Sequence, residues 1–356
     1  MKKKVLIAMS GGVDSSTAAL LLKLQGYDVV GATVKMFGNR ELGIDAPDIP
    51  RKDVLDAKTV AAKLGIPHHV LDFTCDFKRY VLDHFVDEYN TGRTPNPCVD
   101  CNKYIKFGKL YAAAKELGCE YLATGHYVKV EYSAEKNRWL LARADDASKD
   151  QSYMLFNLNQ DQLAHLVMPL AGYSKPEIRQ IAHDAGLAVA DKADSQDICF
   201  VPDGDYVNVI RPIGGMEKPG DFIHIDGTVL GRHKGQIHYT IGQRKGLGIA
   251  YEYPLYVIRK DIVHNTVILG PNEALFKKEL LAENCNFIAF DQLTGPVRVT
   301  AKARYRQKDV PATIEPAGDK VSVVFDEPQR ALTPGQAVVF YDGDYVVGGG
   351  IIADFA

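Results

Sequence analysis

The chain lacks several features that define large classes of protein. It has no apolar run of the ~20 residues that a transmembrane helix needs, although 46% of its 356 residues are hydrophobic. Cysteine is scarce, with six residues in the whole chain, which is too few for a scaffold held together by disulfides. The net charge of −3 provides no global attraction to nucleic acid, so nucleic-acid binding would require local basic patches.

The first residues also lack the full pattern of an export signal. Met1-Lys2-Lys3-Lys4 precedes an apolar stretch, but that stretch ends at Ser10-Gly11-Gly12 without a small-residue cleavage site. We interpret the segment as the solvated start of a first strand and expect a cytoplasmic protein that does not bind membranes. Its cysteines should be reduced, so any special pair is catalytic or metal-binding. The length predicts two or three domains.

A glycine-rich turn is the most informative feature that is present. Ala8-Met9-Ser10-Gly11-Gly12-Val13-Asp14-Ser15-Ser16 follows the buried-strand run Val5-Leu6-Ile7 and leads into a helical pattern. Backbone N–H groups and a helix N-terminus converge at such a turn, which predicts an anion site. The nucleotide P-loop requires a Lys after its second glycine, and none follows here. The simpler alternative is an ordinary strand-to-helix turn capped by Ser or Asp.

Strand and helix patterns alternate through the first 125 residues and predict a doubly wound parallel sheet. Ligands bind at the carboxyl ends of the strands in such sheets. The glycine-rich turn, Lys35-Met36-Phe37 and Gly125-His126 follow predicted strands and should face one crevice. From about residue 220 onwards, short alternating runs broken by Gly, Pro and Asp predict two small β domains or barrels, separated near Gly270-Pro271.

Three of the six cysteines lie in polar segments. Cys98 and Cys101 belong to Pro95-Asn96-Pro97-Cys98-Val99-Asp100-Cys101-Asn102, just before a helix predicted to start near Asn102 or Lys103, and Cys199 lies in the loop 194–200. A thiolate at a helix N-terminus has a lowered pKa. Zinc usually needs a second C-x-x-C pair or added His. Beside zinc, the alternatives are an iron–sulfur cluster, a metal-free thiol relay and a turn with incidental cysteines. The other three cysteines are interpreted as small buried hydrophobes.

The glycine-rich turn resembles the SGGxDS loop of PP-loop ATP pyrophosphatases, which cleave ATP to AMP and pyrophosphate and use AMP to activate a carbonyl oxygen. The whole chain further resembles the tRNA-specific 2-thiouridylases of the MnmA type. The segments that carry this resemblance are the turn, Pro95–Asn102, Gly125-His126-Tyr127, Lys149-Asp150-Gln151-Ser152-Tyr153, Asp194-Ser195-Gln196-Asp197-Ile198-Cys199-Phe200, Tyr239–Arg244, Arg304-Tyr305-Arg306-Gln307 and Thr333-Pro334-Gly335-Gln336.

This resemblance implies a PP-loop domain of the adenine nucleotide α-hydrolase-like class and an ATP-dependent reaction. The family replaces the C2 oxygen of the wobble uridine in Lys, Glu and Gln tRNAs by sulfur. The implied ATP-binding residues are Ala8, Met9, Ser10, Gly11, Gly12, Val13, Asp14, Ser15, Met36 and Gly125. Asp14 would also help to hold Mg²⁺, which prefers carboxylate and phosphate oxygens.

The sulfur chemistry implied by the resemblance uses two thiols. A partner sulfurtransferase or sulfur relay protein delivers a persulfide to Cys199, and Cys101 attacks it, which leaves a disulfide. Some family members have Asp where this chain has Cys98. Because Cys98 adds a third thiol, a four-iron four-sulfur cluster held by Cys98, Cys101 and Cys199 remains an alternative to the metal-free relay.

The implied contacts with the tRNA anticodon region and target base are Asn96, Pro97, Cys98, His126, Lys149, Asp150, Gln151, Arg304, Tyr305 and Gln336. Two strips enriched in basic residues suit phosphate contacts. Residues 297–310 contain Arg298, Lys302, Arg304, Arg306 and Lys308, and residues 228–245 contain Arg232, Lys234, Arg244 and Lys245. Taken alone, either strip is more often a solvated face, and the family resemblance reverses that preference.

We expect a catalytic domain over residues 1–202, with a tRNA-contacting helical part at about 145–202, followed by β domains at 203–272 and 273–356. Two other functions are compatible with parts of the sequence. A different PP-loop ligase or amidotransferase acting on a small molecule would have no use for Cys199 or the basic strips. A non-enzymatic RNA-binding iron–sulfur protein would not need the intact SGGVDS turn.

Overall fold

The protein is described here from a computed structural model that covers residues 2–44, 52–194, 198–201 and 204–353. Its first part is built on a five-stranded parallel sheet with strand order β3-β2-β1-β4-β7. The strands of this sheet are β1 Lys4–Ala8, β2 Asp28–Lys35, β3 His68–Asp72, β4 Tyr121–Ala123 and β7 Leu166–Val167. Strand β7 was absent from the predicted series because two residues give no periodic pattern.

Helices cover both faces of this sheet, as a doubly wound fold requires. The helices are α1 Val13–Leu24, α2 Lys52–Leu64, α3 Thr74–Phe77, α4 Asp83–Asn90, α5 Pro97–Asp100, α6 Leu110–Glu116, α7 Gln160–Ala164, α8 Lys175–Asp184 and α9 Tyr206–Ile210. Leu6 of β1 packs with Phe107 and Leu110 on one face. Val5 and Ile7 pack with α1, α2 and α8 on the other. Strand β1 is therefore apolar on both sides, which explains its uninterrupted hydrophobic run.

Two helical stretches near the sheet contain π-helical turns. Lys78–Leu82 joins α3 to α4, and Cys101–Lys109 joins α5 to α6. The continuous helical stretch that includes α5 and Cys101–Lys109 begins at Pro97. The sequence predicted a start near Asn102 or Lys103. Asn96 caps this helix by accepting from the backbone N–H of Cys98, and proline fits the first helical position. Cys98 and Cys101 therefore lie within the helix and not before it.

The remaining strands form two further sheets, as predicted for the second half of the chain. A four-stranded sheet has the order β10-β11-β8-β9, and an eight-stranded one has the order β12-β15-β14-β13-β16-β17-β6-β5. Their strands are β5 Val128–Ser133, β6 Arg138–Arg143, β8 Gly220–His224, β9 Val229–His233, β10 Tyr256–Asp261, β11 Thr266–Gly270, β12 Phe276–Phe287, β13 Val297–Lys302, β14 Val310–Ala317, β15 Lys320–Arg330, β16 Ala337–Asp342 and β17 Tyr345–Ile352.

The larger sheet closes into a six-stranded barrel because β12 pairs with both β15 and β17. The hairpin β5–β6 joins the outside of this barrel at one position, where Ala142 pairs with Tyr345. This hairpin ties the parallel-sheet part to the barrel. Strands β9, β12 and β14 were not recognised in the sequence. β12 begins with a run of exposed charged residues, and β14 contains Pro311 and Pro316, so neither shows a clean strand pattern.

Candidate active site at the carboxyl edge of the parallel sheet

The glycine-rich turn joins β1 to α1 at the carboxyl edge of the sheet. Gly11 has φ +68°, and a Cβ there would lie 2.2 Å from the Asp53 carbonyl oxygen, so both the conformation and the packing require glycine. The backbone N–H of Ser10 donates to Ser15 Oγ at 3.1 Å, which folds the turn back onto the start of α1. The turn thus presents backbone N–H groups at a helix N-terminus, the arrangement that binds phosphate.

The end of β4 lies directly against this turn. A Cβ added at Gly125 would be 2.8 Å from the backbone nitrogen of Ser15. Met36 follows β2, and its Sδ is 4.0 Å from Cys101 Sγ. The turn and Gly125 are therefore in contact, and Met36 links the end of β2 to the Cys101 thiol, in line with the single crevice expected from the strand ends.

Asp14, in the first turn of α1, is held by a lysine and a phenol. Lys175 Nζ, at the start of α8, lies 2.7 and 2.8 Å from its two carboxylate oxygens, and the Tyr127 hydroxyl donates to Oδ1 at 2.6 Å. Burial, followed by this hydrogen bond to Asp14, raises the pKa of Tyr127. The phenol therefore stays protonated and donates.

Lys175 also binds Asp194, which precedes the Cys199 loop. The distance from Nζ to Asp194 Oδ1 is 2.7 Å, and the Lys175 side chain is only 10% exposed. Asp194 further accepts from Lys149 at 2.8 Å and from Arg179 at 3.0 Å. Burial alone would raise the pKa of Asp194, but the bonds from Lys149 and Lys175 reverse the effect and lower it. Asp194 is therefore an anion shared by three cations.

A further cation reaches the turn itself. Lys192 Nζ donates to the Gly11 carbonyl oxygen at 2.9 Å and pairs with Asp56 at 2.6 Å. Lys175, Arg179 and Lys192 were not singled out from the sequence, because they are far along the chain from the glycine-rich turn. The fold gathers them at the place where a polyphosphate would develop negative charge.

One apolar cluster contains Cys101 and Phe200, the residue next to Cys199. Cys101 is buried in it, whereas Cys98 and Cys199 are exposed, and none of these three described cysteines forms a disulfide. Phe200, next to Cys199, packs edge-on against Phe77 and Phe85 with ring centroids 5.9 and 5.3 Å apart. These rings anchor the Cys199 loop beside Cys101. Residues 195–197 of the predicted loop motif lie outside the described residues.

The three thiols differ in their surroundings. Burial raises the pKa of the Cys101 thiol to about 12, and the charges of Cys199 and Cys98 add to this increase. Cys98 is exposed at the surface, but the protein atoms around its sulfur partly desolvate it and raise its pKa as well. Desolvation therefore opposes the lowering of the thiol pKa values that was expected from a helix N-terminus.

Several predicted tRNA contacts use their side chains within the protein. Asp150 is buried and accepts from the backbone N–H groups of Ala144 and Ser152. Gln151 Oε1 accepts from the backbone of Tyr127 at 3.1 Å. Gln336 Nε2 donates to the carbonyl oxygens of residues 94 and 95 at 2.7 and 3.2 Å, which fixes the segment before Asn96 and Pro97.

The basic strip at residues 297–310 is not uniformly exposed. Arg304 Nη2 donates to the Ala331 carbonyl oxygen and to Thr333 Oγ1, both at 2.8 Å. Arg298 pairs with Asp326. The Lys302 ammonium lies 5.4 Å from the ring centroid of Tyr305. The interpretation of this strip as an open row of cations therefore applies only in part.

The exposed basic residues of both strips are fewer than the sequence indicated. Arg306, Lys308, Lys234, Arg244 and Lys245 are exposed. Arg232 is exposed too but pairs with Asp221 at 3.0 Å. Tyr305 is half-buried, and its hydroxyl donates to the Asp150 carbonyl oxygen at 3.1 Å. The surface left for RNA is thus a set of separate cations and not two continuous strips.

A metal ion at this site would need several His, Cys, Asp or Glu side chains close together. Within the described ranges, which include Cys98, Cys101 and Cys199, no three His, Cys, Asp or Glu side chains are placed to hold a metal ion. In the same ranges, no helix is both long and apolar enough to cross a bilayer.

Comparison with known families defines the class. A profile described as the tRNA methyl transferase HUP domain matches residues 3–203, a tRNA methyl transferase PRC-barrel domain matches 211–271, and an aminomethyltransferase beta-barrel domain matches 277–352. The first profile covers more than half of the chain. The protein is thus a HUP-domain protein that carries two β domains.

Individual relatives identify the family. The tRNA-specific 2-thiouridylase MnmA of Clostridioides difficile (strain 630) is 52% identical over 355 residues, 99% of this chain and 98% of its own. That of Acetivibrio thermocellus is 50% identical over 356 residues, 99% of each chain. A solved 4-thiouridine synthetase–RNA complex with bound ATP has TM-score 0.37 and 17% identity over 56% of this chain and 45% of its own. The chain belongs to the MnmA family of tRNA-specific 2-thiouridylases, which confirms the family predicted from the motifs.

Proposed function

We propose that the protein catalyses ATP-dependent 2-thiolation of the wobble uridine in Lys, Glu and Gln tRNAs. The observation that carries this proposal is the contact between a residue of the proposed ATP site and a thiol of the proposed sulfur transfer. Met36 belongs to the proposed ATP site, and its sulfur lies 4.0 Å from Cys101 Sγ. A nucleotide held by the glycine-rich turn would thus present its activated product beside a thiol.

The first step activates a poor electrophile. The C2 oxygen of uridine attacks the α-phosphorus of ATP, so that a C2–O–AMP bond forms and pyrophosphate leaves. The backbone N–H groups of the turn, with Lys175 and Lys192 near it, would stabilise the charge on pyrophosphate. Asp14 offers the carboxylate that would hold the accompanying Mg²⁺, a fit supported by its exposure of 32% at the loop.

The second step moves sulfur between two thiols. A partner protein loads Cys199 as a persulfide. The Cys101 thiolate attacks Cys199 Sγ, the Cys101–Cys199 disulfide forms, and hydrosulfide leaves. Hydrosulfide then adds at C2 and AMP departs, which gives the C2=S group and releases one proton. An external thiol reductant must supply two electrons to restore Cys101 and Cys199.

The test measures both products of the reaction. Wild-type protein, ATP, a persulfide donor and an unmodified Glu tRNA should give AMP and 2-thiouridine, detected by nucleoside mass spectrometry. Cys101→Ser and Cys199→Ser should each abolish 2-thiouridine, whereas Cys119→Ser, a buried thiol beneath the sheet, should retain it. AMP formation that needs no RNA would instead indicate a small-molecule PP-loop enzyme and overturn the proposal.

Cys98 distinguishes the thiol relay from an iron–sulfur cluster. In the relay that we propose, Cys98→Ser keeps both reacting thiols and should retain substantial activity with a persulfide donor. If the thiols hold a cluster, the same variant should lose iron and most of its activity. Iron content and 2-thiouridine formation, both measured on protein prepared without oxygen, separate these outcomes. An inactive variant that has lost iron would overturn the relay.

A further inference from the structure

A turn of the C-terminal barrel lies against the segment that leads into α5. The backbone N–H of Thr94 donates to the Pro334 carbonyl oxygen at 2.9 Å. In return, Gln336 Nε2 donates to the carbonyl oxygens of Thr94 and Pro95 at 2.7 and 3.2 Å. Since proline has no N–H, the turn binds every backbone polar group of these two residues, although Gln336 lies 242 positions after Thr94 in the chain.

The sequence of this segment makes it dependent on outside partners. Pro95 and Pro97 have no backbone N–H to donate. A residue that precedes proline is driven out of the helical region, and Asn96 accordingly has φ −113° and ψ 91°. The segment is therefore extended and cannot satisfy its carbonyl oxygens by continuing a helix. Its place is set by whatever binds those oxygens, which here is the barrel turn.

The turn itself is built for this close approach. Gly335 has φ +89°, and a Cβ there would lie 2.9 Å from the Thr94 backbone nitrogen and 2.8 Å from Glu88 Oε2. Only glycine fits both the conformation and the space. The Gly335 N–H donates to the Ile352 carbonyl oxygen at 2.9 Å, and the Ile352 N–H donates to the Gln336 carbonyl oxygen at 2.8 Å. These two bonds fix the turn to strand β17, so it meets the segment as a rigid part of the barrel.

Arg93 ties the residue before Thr94 to the same barrel. Its Nε donates to Glu88 Oε2 of α4 at 2.9 Å, and its Nη2 donates to Glu283 Oε1 of β12 at 2.7 Å. The Arg93 side chain is only 12% exposed, so salt screens these bonds little. Residues 93–95 are thus held by two separate elements of the barrel, which are the turn at 334–336 and strand β12.

The helix that carries Cys98 and Cys101 follows this segment directly. Asn96 accepts from the Cys98 N–H at 3.2 Å and caps the helix that starts one residue later. Any displacement of residues 94 and 95 therefore shifts the helix start, and both thiols move with it. The proposed sulfur transfer requires Cys101 to reach the persulfide on Cys199, and a misplacement of about 1 Å can lower a rate roughly a hundredfold.

We propose that Gln336 is a positioning residue of the thiolation site, through which the barrel sets the place of Cys98 and Cys101. This role rests on the proposed thiolation. It also replaces the contact with tRNA that the family resemblance implies for Gln336. A side-chain amide has two donor hydrogens, and Gln336 Nε2 has two acceptors within the protein. Its donors are therefore engaged before any RNA arrives.

The first measurement uses the protein without ATP or tRNA. Gln336→Met keeps the length of the side chain and removes its donor. Backbone hydrogen exchange over residues 93–101, followed by peptide mass spectrometry, should become roughly tenfold faster, because the lost bonds hold this segment. Gln160→Met is the matched control, since Gln160 Nε2 also donates to a backbone carbonyl oxygen, that of Trp139 at 3.0 Å. Exchange over residues 93–101 in this control should match the wild type.

Turnover supplies the second measurement. In Gln336→Met the kcat for 2-thiouridine formation should fall about tenfold, while the KM for tRNA changes little. Gln336→Glu keeps the shape of the side chain but places an acceptor against two carbonyl oxygens, so it should show the same faster exchange and lower kcat. If Gln336→Met does not fold, as judged by its melting curve, Gln336→Ala replaces it.

Two results would overturn the role of Gln336. One is unchanged hydrogen exchange over residues 93–101 in Gln336→Met. The other is a kcat that stays at the wild-type value, whether or not the KM for tRNA rises as it would after loss of a direct RNA contact. Because the exchange measurement requires neither substrate, failure of the proposed thiolation appears separately, as absence of 2-thiouridine from the wild-type protein.

Discussion

The parallel-sheet edge and the β-rich half use their basic residues in different ways. At the sheet edge, Lys149 shares Asp194 with two cations of α8, Lys175 and Arg179. In the β-rich half, basic residues that are close in sequence contact different partners. Arg298, for example, pairs with Asp326. A cluster of cations at a site is therefore poorly indicated by a run of basic residues. It depends on which segments the fold brings together.

The largest effect is expected from an acid of the sheet edge. Asp14→Asn removes the carboxylate that Lys175 and Tyr127 bind, and with it the proposed Mg²⁺ ligand. AMP formation in the presence of tRNA should fall roughly a hundredfold or more, because a preorganised charge at the reacting phosphates is lost. The release of AMP is followed by chromatography under saturating ATP.

Asp326→Asn is the matched control from the other region. Asp326 also pairs with a cation, but the pair with Arg298 is exposed, and exposed pairs contribute only about 0–1 kcal/mol. This variant should keep near wild-type AMP formation. Equal activity of the two variants would remove the functional difference between the regions and would argue against the glycine-rich turn as the ATP site.

The sequence predicted the sheet edge well because its residues have local requirements. Gly11 has a positive φ and lies against Asp53, so only glycine fits there. A glycine requirement of this kind can be recognised from a short sequence motif. The strand ends that carry Met36 and Gly125 followed from hydrophobic runs and the general position of ligands in parallel sheets. The cations Lys175 and Lys192 were not predicted, because their contacts span 161 and 181 residues along the chain.

The predicted RNA surface stays a prediction, and its side chains differ in ways that depend on the same long-range contacts. Arg304 lies in a basic strip, yet its guanidinium donates to the backbone near Ala331. Burial lowers the pKa of Arg304, which is the opposite of what a solvated phosphate-binding residue would show. No local pattern distinguishes this arginine from exposed Arg306, two residues later. Only long-range packing separates the two roles.

A smaller effect tests this distinction on tRNA binding. Arg306→Ala combined with Lys308→Ala removes two exposed cations and should lower the slope of log affinity against log salt by about one unit for each lost phosphate contact. The thermal midpoint should change little. Arg304→Ala should instead lower the thermal midpoint, because it leaves buried carbonyl groups without a donor. Filter binding over a salt series, with melting curves, measures both. An unchanged slope for the double variant would show that residues 306 and 308 are only solvated.

The smallest effect is expected at Lys260, a basic residue of the β-rich half that reaches the parallel-sheet part. Its Nζ lies 3.4 Å from the Arg93 carbonyl oxygen and 5.9 Å from the Tyr89 ring centroid. Burial lowers its pKa to about 7 from an ordinary value of 10.5. Between these values the unfolded chain holds a proton that the folded chain has lost, so the contribution of Lys260 to stability rises with pH through this window. Below about pH 7 the cost of burying the charge is complete.

Lys260→Met should therefore raise the thermal midpoint by a few degrees near pH 6 and by progressively less towards pH 10. Lys245→Met, at an exposed position, provides the control and should show no such dependence on pH. Melting curves at matched ionic strength across this range measure the difference between the two variants. A gain that is independent of pH would mean that Lys260 contributes through its packing alone. The contact between the two regions would then carry no buried charge, unlike the edge of the parallel sheet.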